Sequence, residues 1–260
     1  MTASFDNAAL AYDGTFTNSA IGRLQRQQVY FQLEKILGKT PITSILEINC
    51  GTGEDAIWLS KHGISVTATD ISENMIAAAK KKLGAETIAF CVADINRLAA
   101  DFPEAKFDMI FSNFGGLNCL TPMEFSNFFQ NSAALLSKKG KSVLVIMPKN
   151  TIWEQLYFLG KANFKNVFRR KKTNVMAIVD GEKVPTYYYN PNDTIIAAST
   201  YYNVVSVKPI GFFVPPSYLE PLLKNKPLLA SLLGKLDTAA GNFSFLSKYA
   251  DHYLIILEKK

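Results

Sequence analysis

Apolar residues recur at helical spacing over 20–37 (Ile21, Leu24, Val29, Leu33, Ile36, Leu37), and Gly38 and Pro41 end the pattern. Next comes a short β-rich run, SILEIN (44–49), then a glycine turn and a helix from about Glu54 to Lys61. ISVTATD (64–70) reads as a second strand, followed by a helix through ENMIAAAKKKL. IAFCVAD (88–94) and FDMIFSN (107–113) read as the third and fourth strands, before a helix over 122–137 and a fifth strand over 141–148. Strands alternating with helices at this spacing predict an α/β fold: a Rossmann-like doubly wound sheet, mostly parallel, with ligands at the carboxyl ends of its strands.

Beyond Pro148 the rhythm breaks. Residues 151–172 read as a helix ending in RRKK, and 175–189 as a hairpin punctuated by Asp180-Gly181. Residues 193–202 give no clear element; a strand near 203–208, a Pro-rich turn at Val214-Pro215-Pro216, a helix through about 218–235 and a last strand, HYLIILEK, follow. The late strands suit a sheet with an antiparallel edge strand. The expected organisation is one domain, 1–260. It has an N-terminal cap (about 1–40), a ligand-binding core (about 41–148), an inserted lid (about 151–190) and a C-terminal part of the sheet (about 191–260).

Charge and composition narrow the function. Lys and Arg number 28 against 22 Asp and Glu, an excess too small to wrap nucleic acid. No apolar run reaches the length of a membrane span, and no signal peptide opens the chain, so a cytoplasmic protein is expected. Cys50, Cys91 and Cys119 stand apart without metal-ligand spacing, and only His62 and His252 are present, so no metal site is expected.

The turn after the first strand is the most informative stretch. Gly51-Thr52-Gly53-Glu54-Asp55-Ala56 fits G-x-G-x-x-A, with Asp70 nineteen residues after Gly51. That would suit NAD(P) and an oxidoreductase. Glu54 and Asp55 oppose it, since two acids at a helix start repel a pyrophosphate and favour an ammonium or sulfonium; alternatively, they only complement the helix dipole. Glu47, four residues before Gly51, is also unusual for a nicotinamide fold.

From Glu47 to Gly53 the chain resembles the first motif of the class I S-adenosylmethionine-dependent methyltransferases, and the resemblance continues through most of the length. Val66–Ser72 looks like the second motif, with Glu73–Lys80 a typical sequel in the small-molecule branch. Cys91–Ile95 looks like the third motif, Phe107–Phe114 the fourth, and Leu136–Lys141 the loop before strand five. Upstream, Phe5-Asp6 and Ala11-Tyr12-Asp13 are similar to the family's N-terminal segment. The resemblance implies S-adenosyl-L-methionine as cofactor and S-adenosyl-L-homocysteine as product. It implies that Tyr12 covers the methionine end, and that Glu47, Asn49, Cys50, Gly51 and Gly53 form the floor under the amino-acid end. Asp70 would hold the ribose hydroxyls beside Ile71 and Met75, Asp94 and Ile95 would read the adenine, and Asn113 and Phe114 would open into the cleft. Asn49 replaces the usual first glycine, and Asn is the next-best residue for a left-handed backbone. Asp70 could instead cap the following helix, but Ser72 is available for that; Asp94-Ile95-Asn96 could also be a simple turn.

Methyl transfer needs in-line alignment and, for a hydroxyl acceptor, a base. None is evident. His62 sits at a helix end, and His252 precedes the last strand, outside the expected cleft. The family's nucleic-acid branch carries an Asn/Asp-Pro-Pro-aromatic box where this chain has Ser112-Asn113-Phe114-Gly115, which argues against nucleic acid and for a small-molecule substrate. The basic run Lys165, Arg169, Arg170, Lys171, Lys172 reads as a solvated helix end or, alternatively, as a patch that attracts an anionic substrate or RNA. Aromatics over 151–190 suit a lid over an apolar or aromatic acceptor, or else a core or homodimer contact. A non-catalytic S-adenosylmethionine-binding protein is the remaining alternative.

Overall fold

The computed structural model describes residues 12–179 and 182–260. Helices and strands alternate from α1 (Ala20–Leu37) through β1 (Ser44–Ile48), α2 (Glu54–Ser60), β2 (Ser65–Asp70), α3 (Glu73–Lys80) and β3 (Ala89–Val92). Then come the single turn α4 (Leu98–Asp101), β4 (Phe107–Ser112), α5 (Pro122–Leu135) and β5 (Leu136–Ile146). The remainder carries α6 (Ile152–Gly160), a hairpin of β6 (Val175–Val179) and β7 (Glu182–Thr186), α7 (Pro191–Ala198), β8 (Tyr202–Ile210), α8 (Pro227–Ala240) and β9 (His252–Lys259).

Seven strands share one sheet in the order β3-β2-β1-β4-β5-β9-β8. β1 to β5 pair in parallel, and β9 runs antiparallel to both β5 and β8, which gives the sheet its antiparallel edge. The order reverses between β1 and β4, the switch point at which an open α/β sheet leaves a crevice outside its strand ends. Apolar side chains cover both faces. Val29, Leu33 and Ile36 of α1 pack with Ile45, Val66 and Leu254 on one side. Phe125, Phe128 and Phe129 of α5 pack with Ile110, Leu144 and Tyr253 on the other. Each such side chain taken fully out of water contributes about 1.5–3 kcal/mol.

Local chemistry sets the boundaries. Ser19 caps α1 by accepting from Gly22 N–H, Ser72 caps α3 by accepting from Met75 N–H, and Thr121 with Glu124 forms a reciprocal capping box on α5. Four expectations differ from the structure. Leu136–Lys141, expected as the loop before the fifth strand, belongs to β5, where Leu136 pairs with Phe107 and Lys141 with Met109. The helix expected over 151–172 ends at Gly160; Ala162 then turns left-handed (φ 51) and short 3-10 turns carry Phe164–Asn166 and Arg169–Lys171. The helix expected over 218–235 divides into a 3-10 turn, Ser217–Leu222, and α8, because Pro221 and Pro227 each remove a backbone donor. The unassigned 193–202 contains most of α7, which Asn190, Pro191 and Asp193 start with a second capping box. The hairpin turn Asp180-Gly181 and the N-terminal Phe5-Asp6 and Ala11 lie outside the described residues.

Candidate active site

The loop leaving β1 makes three left-handed steps, at Asn49 (φ 57), Gly51 (φ 53) and Gly53 (φ 76). Asn49 thus occupies the conformation that a glycine usually takes, and its Nδ2 donates to Ser112 Oγ at 3.3 Å. At Gly53 a Cβ would lie 2.9 Å from the Phe90 ring, so this glycine lets α2 approach β3. Asp70, the last residue of β2, accepts from Gly51 N–H (2.9 Å) and Ser72 N–H (2.9 Å). Its carboxylate is therefore oriented by two backbone donors, while Ser72 caps α3.

Above this loop lies a cavity of about 530 Å3. Asn49 and Gly51 form part of its floor, Asp70, Ile71 and Met75 one wall, and Asp94 and Ile95 the next. Asn113 and Phe114 enter from β4, and Tyr12 lies over Gly51. Burial pushes the Tyr12 hydroxyl up to about 12, so it stays a phenol at neutral pH. Asp13 accepts from Thr52 Oγ1 (2.6 Å) and pairs with Lys82 (2.7 Å), which ties the Tyr12 segment to the loop. Asp94 does form a turn, accepting from Asn96 N–H at 2.9 Å through Oδ1, yet it still borders the cavity.

Glu47, Cys50 and Gly53 stand apart from the cavity wall, one layer down. Glu47 is buried with no partner for Oε2. Burial and the nearby Asp55 push its carboxyl well above the usual range, and Arg26 offsets this only in part. Burial likewise keeps Cys50 a thiol. Asp55 does not face the cavity. It forms an ion pair with Arg26 (3.1 Å), accepts from Tyr30 Oη (2.7 Å) and accepts from Asn113 Nδ2 (3.0 Å). Glu54 lies 3.5 Å from Lys82. Both acids therefore serve the framework rather than repelling a ligand directly. The sequence signal for Arg26 is a charge on the apolar face of α1, one turn before Tyr30.

The far side of the cavity corrects two expectations. His252 is not outside the cleft: β9 enters the sheet beside β5, and its first residue lines the cavity, buried, with Nδ1 3.2 Å from Asp251 Oδ2. Arg169 and Arg170 are not a solvated helix end. Arg169 makes a two-pronged bond to Glu154 (2.9 and 2.9 Å), and Arg170 is buried between Glu154 (3.1 Å) and Asp251 (3.1 Å). Burial would raise the Asp251 carboxyl, but His252, Arg170 and Gln25 more than offset it and hold it well below the usual range. His252 Nδ1 is buried beside the Asp251 carboxylate without a hydrogen bond to it, so the two interact through charge alone.

An aromatic line joins the two ends: Tyr12 to Phe16 (5.8 Å), Phe16 to Phe114 (5.1 Å) and Phe114 to His252 (5.4 Å). Phe114 reaches it by a left-handed turn (φ 42) ahead of Gly115 (φ 82). Gly116 serves close packing, since a Cβ there would lie 2.4 Å from the Asn49 side chain. Arg170, Ala177, Val184, Thr186 and Tyr188 of the 151–190 segment also line the cavity.

Residues 45–140 match the methyltransferase domain family. The matched stretch runs from β1 into the first half of β5 and carries Asn49, Gly51, Asp70 and Asp94 of the cavity. The chain is 34% identical over 112 residues to a malonyl-[acyl-carrier protein] O-methyltransferase of Bacillus cytotoxicus, covering 42% of this chain and 37% of that protein. It is 30% identical over 123 residues to a demethylmenaquinone methyltransferase of Clavibacter sepedonicus, covering 47% and 49%. The matched stretch thus spans less than half of these relatives' own length. In fold, the chain is similar to magnesium protoporphyrin IX methyltransferase of Synechocystis PCC 6803, solved with bound SAH. The TM-score is 0.59 at 15% identity, covering 93% of this chain and 86% of that one.

Proposed function

We propose that this chain transfers a methyl group from S-adenosylmethionine to a small-molecule acceptor. The observation that carries the reading is the Asp70 carboxylate, aimed by two backbone donors into a cavity at the sheet's switch point. The residues present fit the cofactor. Asp70 offers acceptors for a ribose diol, Asp94 and Ile95 an edge and a flat face for adenine, and Asn49 and Gly51 an uncrowded backbone. Beneath them, Glu47 Oε2 and Arg26 Nη1 are buried polar atoms without hydrogen-bond partners, of the kinds an ammonium and a carboxylate would call on. Relatives named for malonyl-[acyl-carrier protein] and demethylmenaquinone, and the SAH bound to the Synechocystis enzyme, support the same reading.

The cofactor supplies a methyl carbon already activated by its sulfonium. The chain's task is then alignment, worth on the order of 7–11 kcal/mol. Phe114 and Tyr12 bound the space in which an acceptor must sit, and the 151–190 segment closes it against water. For a hydroxyl acceptor, His252 takes the leaving proton, and the Asp251 carboxylate beside the ring stabilises the imidazolium that forms.

Parallel isothermal titration with S-adenosylmethionine, S-adenosylhomocysteine and NADH tests this. Binding of the two sulfur ligands alone supports the reading; binding of NADH alone would replace it with a nicotinamide oxidoreductase. Binding of the sulfur ligands without methyl transfer to any phenol, carboxylic acid or amine acceptor would leave a non-catalytic binding protein.

A further inference from the structure

α8 turns its small residues inward. Ala230, Gly234, Asp237 and Ala240 are buried, and a Cβ on Gly234 would lie 3.0 Å from Leu24 of α1. Four of its five leucines point out: Leu228 is 87% exposed, Leu232 53%, Leu229 39% and Leu236 38%, while Leu233 packs beside Ile21, Val214 and Leu223. This inverts the ordinary amphipathic helix, whose leucines cover the core. The surface next to it is similar. α6 exposes Leu156 and Leu159, and it meets this region where the Tyr157 ring lies 5.3 Å from Tyr218 and Ile152 N–H bonds Tyr249 O at 3.1 Å. Phe243 and Phe245, just after α8, are also exposed.

The charges on these segments are one-sided. Over 152–168 and 217–249 the acids are Glu154, Glu220 and Asp237. Each is engaged inside the fold. Glu154 binds Arg169 and Arg170, Glu220 accepts from Ala20 and Ile21 N–H, and Asp237 accepts from Gly211, Phe212 and Phe213 N–H. Lys161, Lys165, Lys224, Lys226, Lys235 and Lys248 have no carboxylate partner among the described residues.

We propose that this face docks on an anionic lipid bilayer surface. Exposed leucines and phenylalanines enter the boundary between headgroups and acyl chains, and the lysines reach the phosphates with their stems along the apolar surface. A second copy of the chain is disfavoured as occupant, because a two-fold contact would set the unpaired lysines against one another. Tyr218 both borders the cavity and belongs to this face, so docking brings the cavity wall to the bilayer. The proposal goes beyond methyl transfer and does not depend on it.

The test is sedimentation of the full chain with phosphatidylcholine vesicles and with phosphatidylcholine–phosphatidylglycerol vesicles. Binding is expected only to the anionic vesicles, weakening as salt rises. Leu228→Ser/Leu232→Ser and Lys224→Glu/Lys226→Glu should each lower partitioning about tenfold or more. Their melting temperatures should not change, because all four positions are exposed. Absence of binding to anionic vesicles overturns the proposal, as does binding that neither variant weakens. A dimer that Leu228→Ser/Leu232→Ser dissociates, in a chain that ignores vesicles, makes the face a subunit interface instead. Salt-sensitive binding to a purified acidic protein without vesicle binding makes it a protein-docking site.

Discussion

Gly51 donates its backbone N–H to Asp70 Oδ2 at 2.9 Å, so the acid at the end of β2 fixes the turn at the end of β1. One side chain thereby shapes the floor of the cavity and part of its wall. Asp70→Ala should weaken S-adenosylmethionine binding about tenfold or more, through the lost charge-assisted bonds. Titration calorimetry reads this directly, and unchanged affinity would put the ribose elsewhere.

The loop's left-handed steps differ in what they tolerate. Gly53→Ala adds a Cβ 2.9 Å from Phe90 at φ 76 and should destabilise the fold by about 1–3 kcal/mol. Asn49→Gly should stay within about 1 kcal/mol of the parent, since glycine accepts φ 57 freely. Denaturant unfolding of both variants checks the contrast.

Glu47 makes stability depend on pH. Its carboxyl is raised in the fold, so the native state keeps a proton through a range where the unfolded chain has lost it. Stability from this group is therefore full below the ordinary carboxylate range and falls as pH rises above it. Glu47→Gln should remove that decline, and its melting temperature should gain on the parent's between mild acid and neutral pH. Parallel curves for the two proteins would count against a raised Glu47.

His252→Gln should lower turnover on a hydroxyl acceptor by about 10²–10⁴ while cofactor affinity holds. The pH–rate profile should lose its acidic limb, where protonation of the base cuts the rate. Asp251→Asn should flatten the same profile, and it should also destabilise the chain by about 3–5 kcal/mol because Arg170 loses a buried partner. A drop in melting temperature with an intact pH profile would reduce Asp251 to a structural role.

Much of this was legible in the sequence because it is local. The bounds of α1, the left-handed Asn49 and the Ser72 cap each depend on a few neighbouring residues. The break after Gly160 is less legible, because an alanine, Ala162, takes the left-handed turn there. Long-range pairing hid the rest. His252 enters the cavity because β9 inserts beside β5, and Arg170 is buried because Glu154 and Asp251, far apart in sequence, converge on it. The RRKK run looks solvated until those acids are in place. Asp55, expected to act on a ligand by charge, is consumed by Arg26, Tyr30 and Asn113 from other elements.

The position of β9 between β5 and β8 also constrains the order of assembly. During synthesis β5 and β8 emerge first and are not neighbours in the folded sheet, so two strand edges wait for residues 252–259. The same eight residues deliver His252 to the cavity, so a nascent chain acquires its candidate base only in the step that seals its sheet.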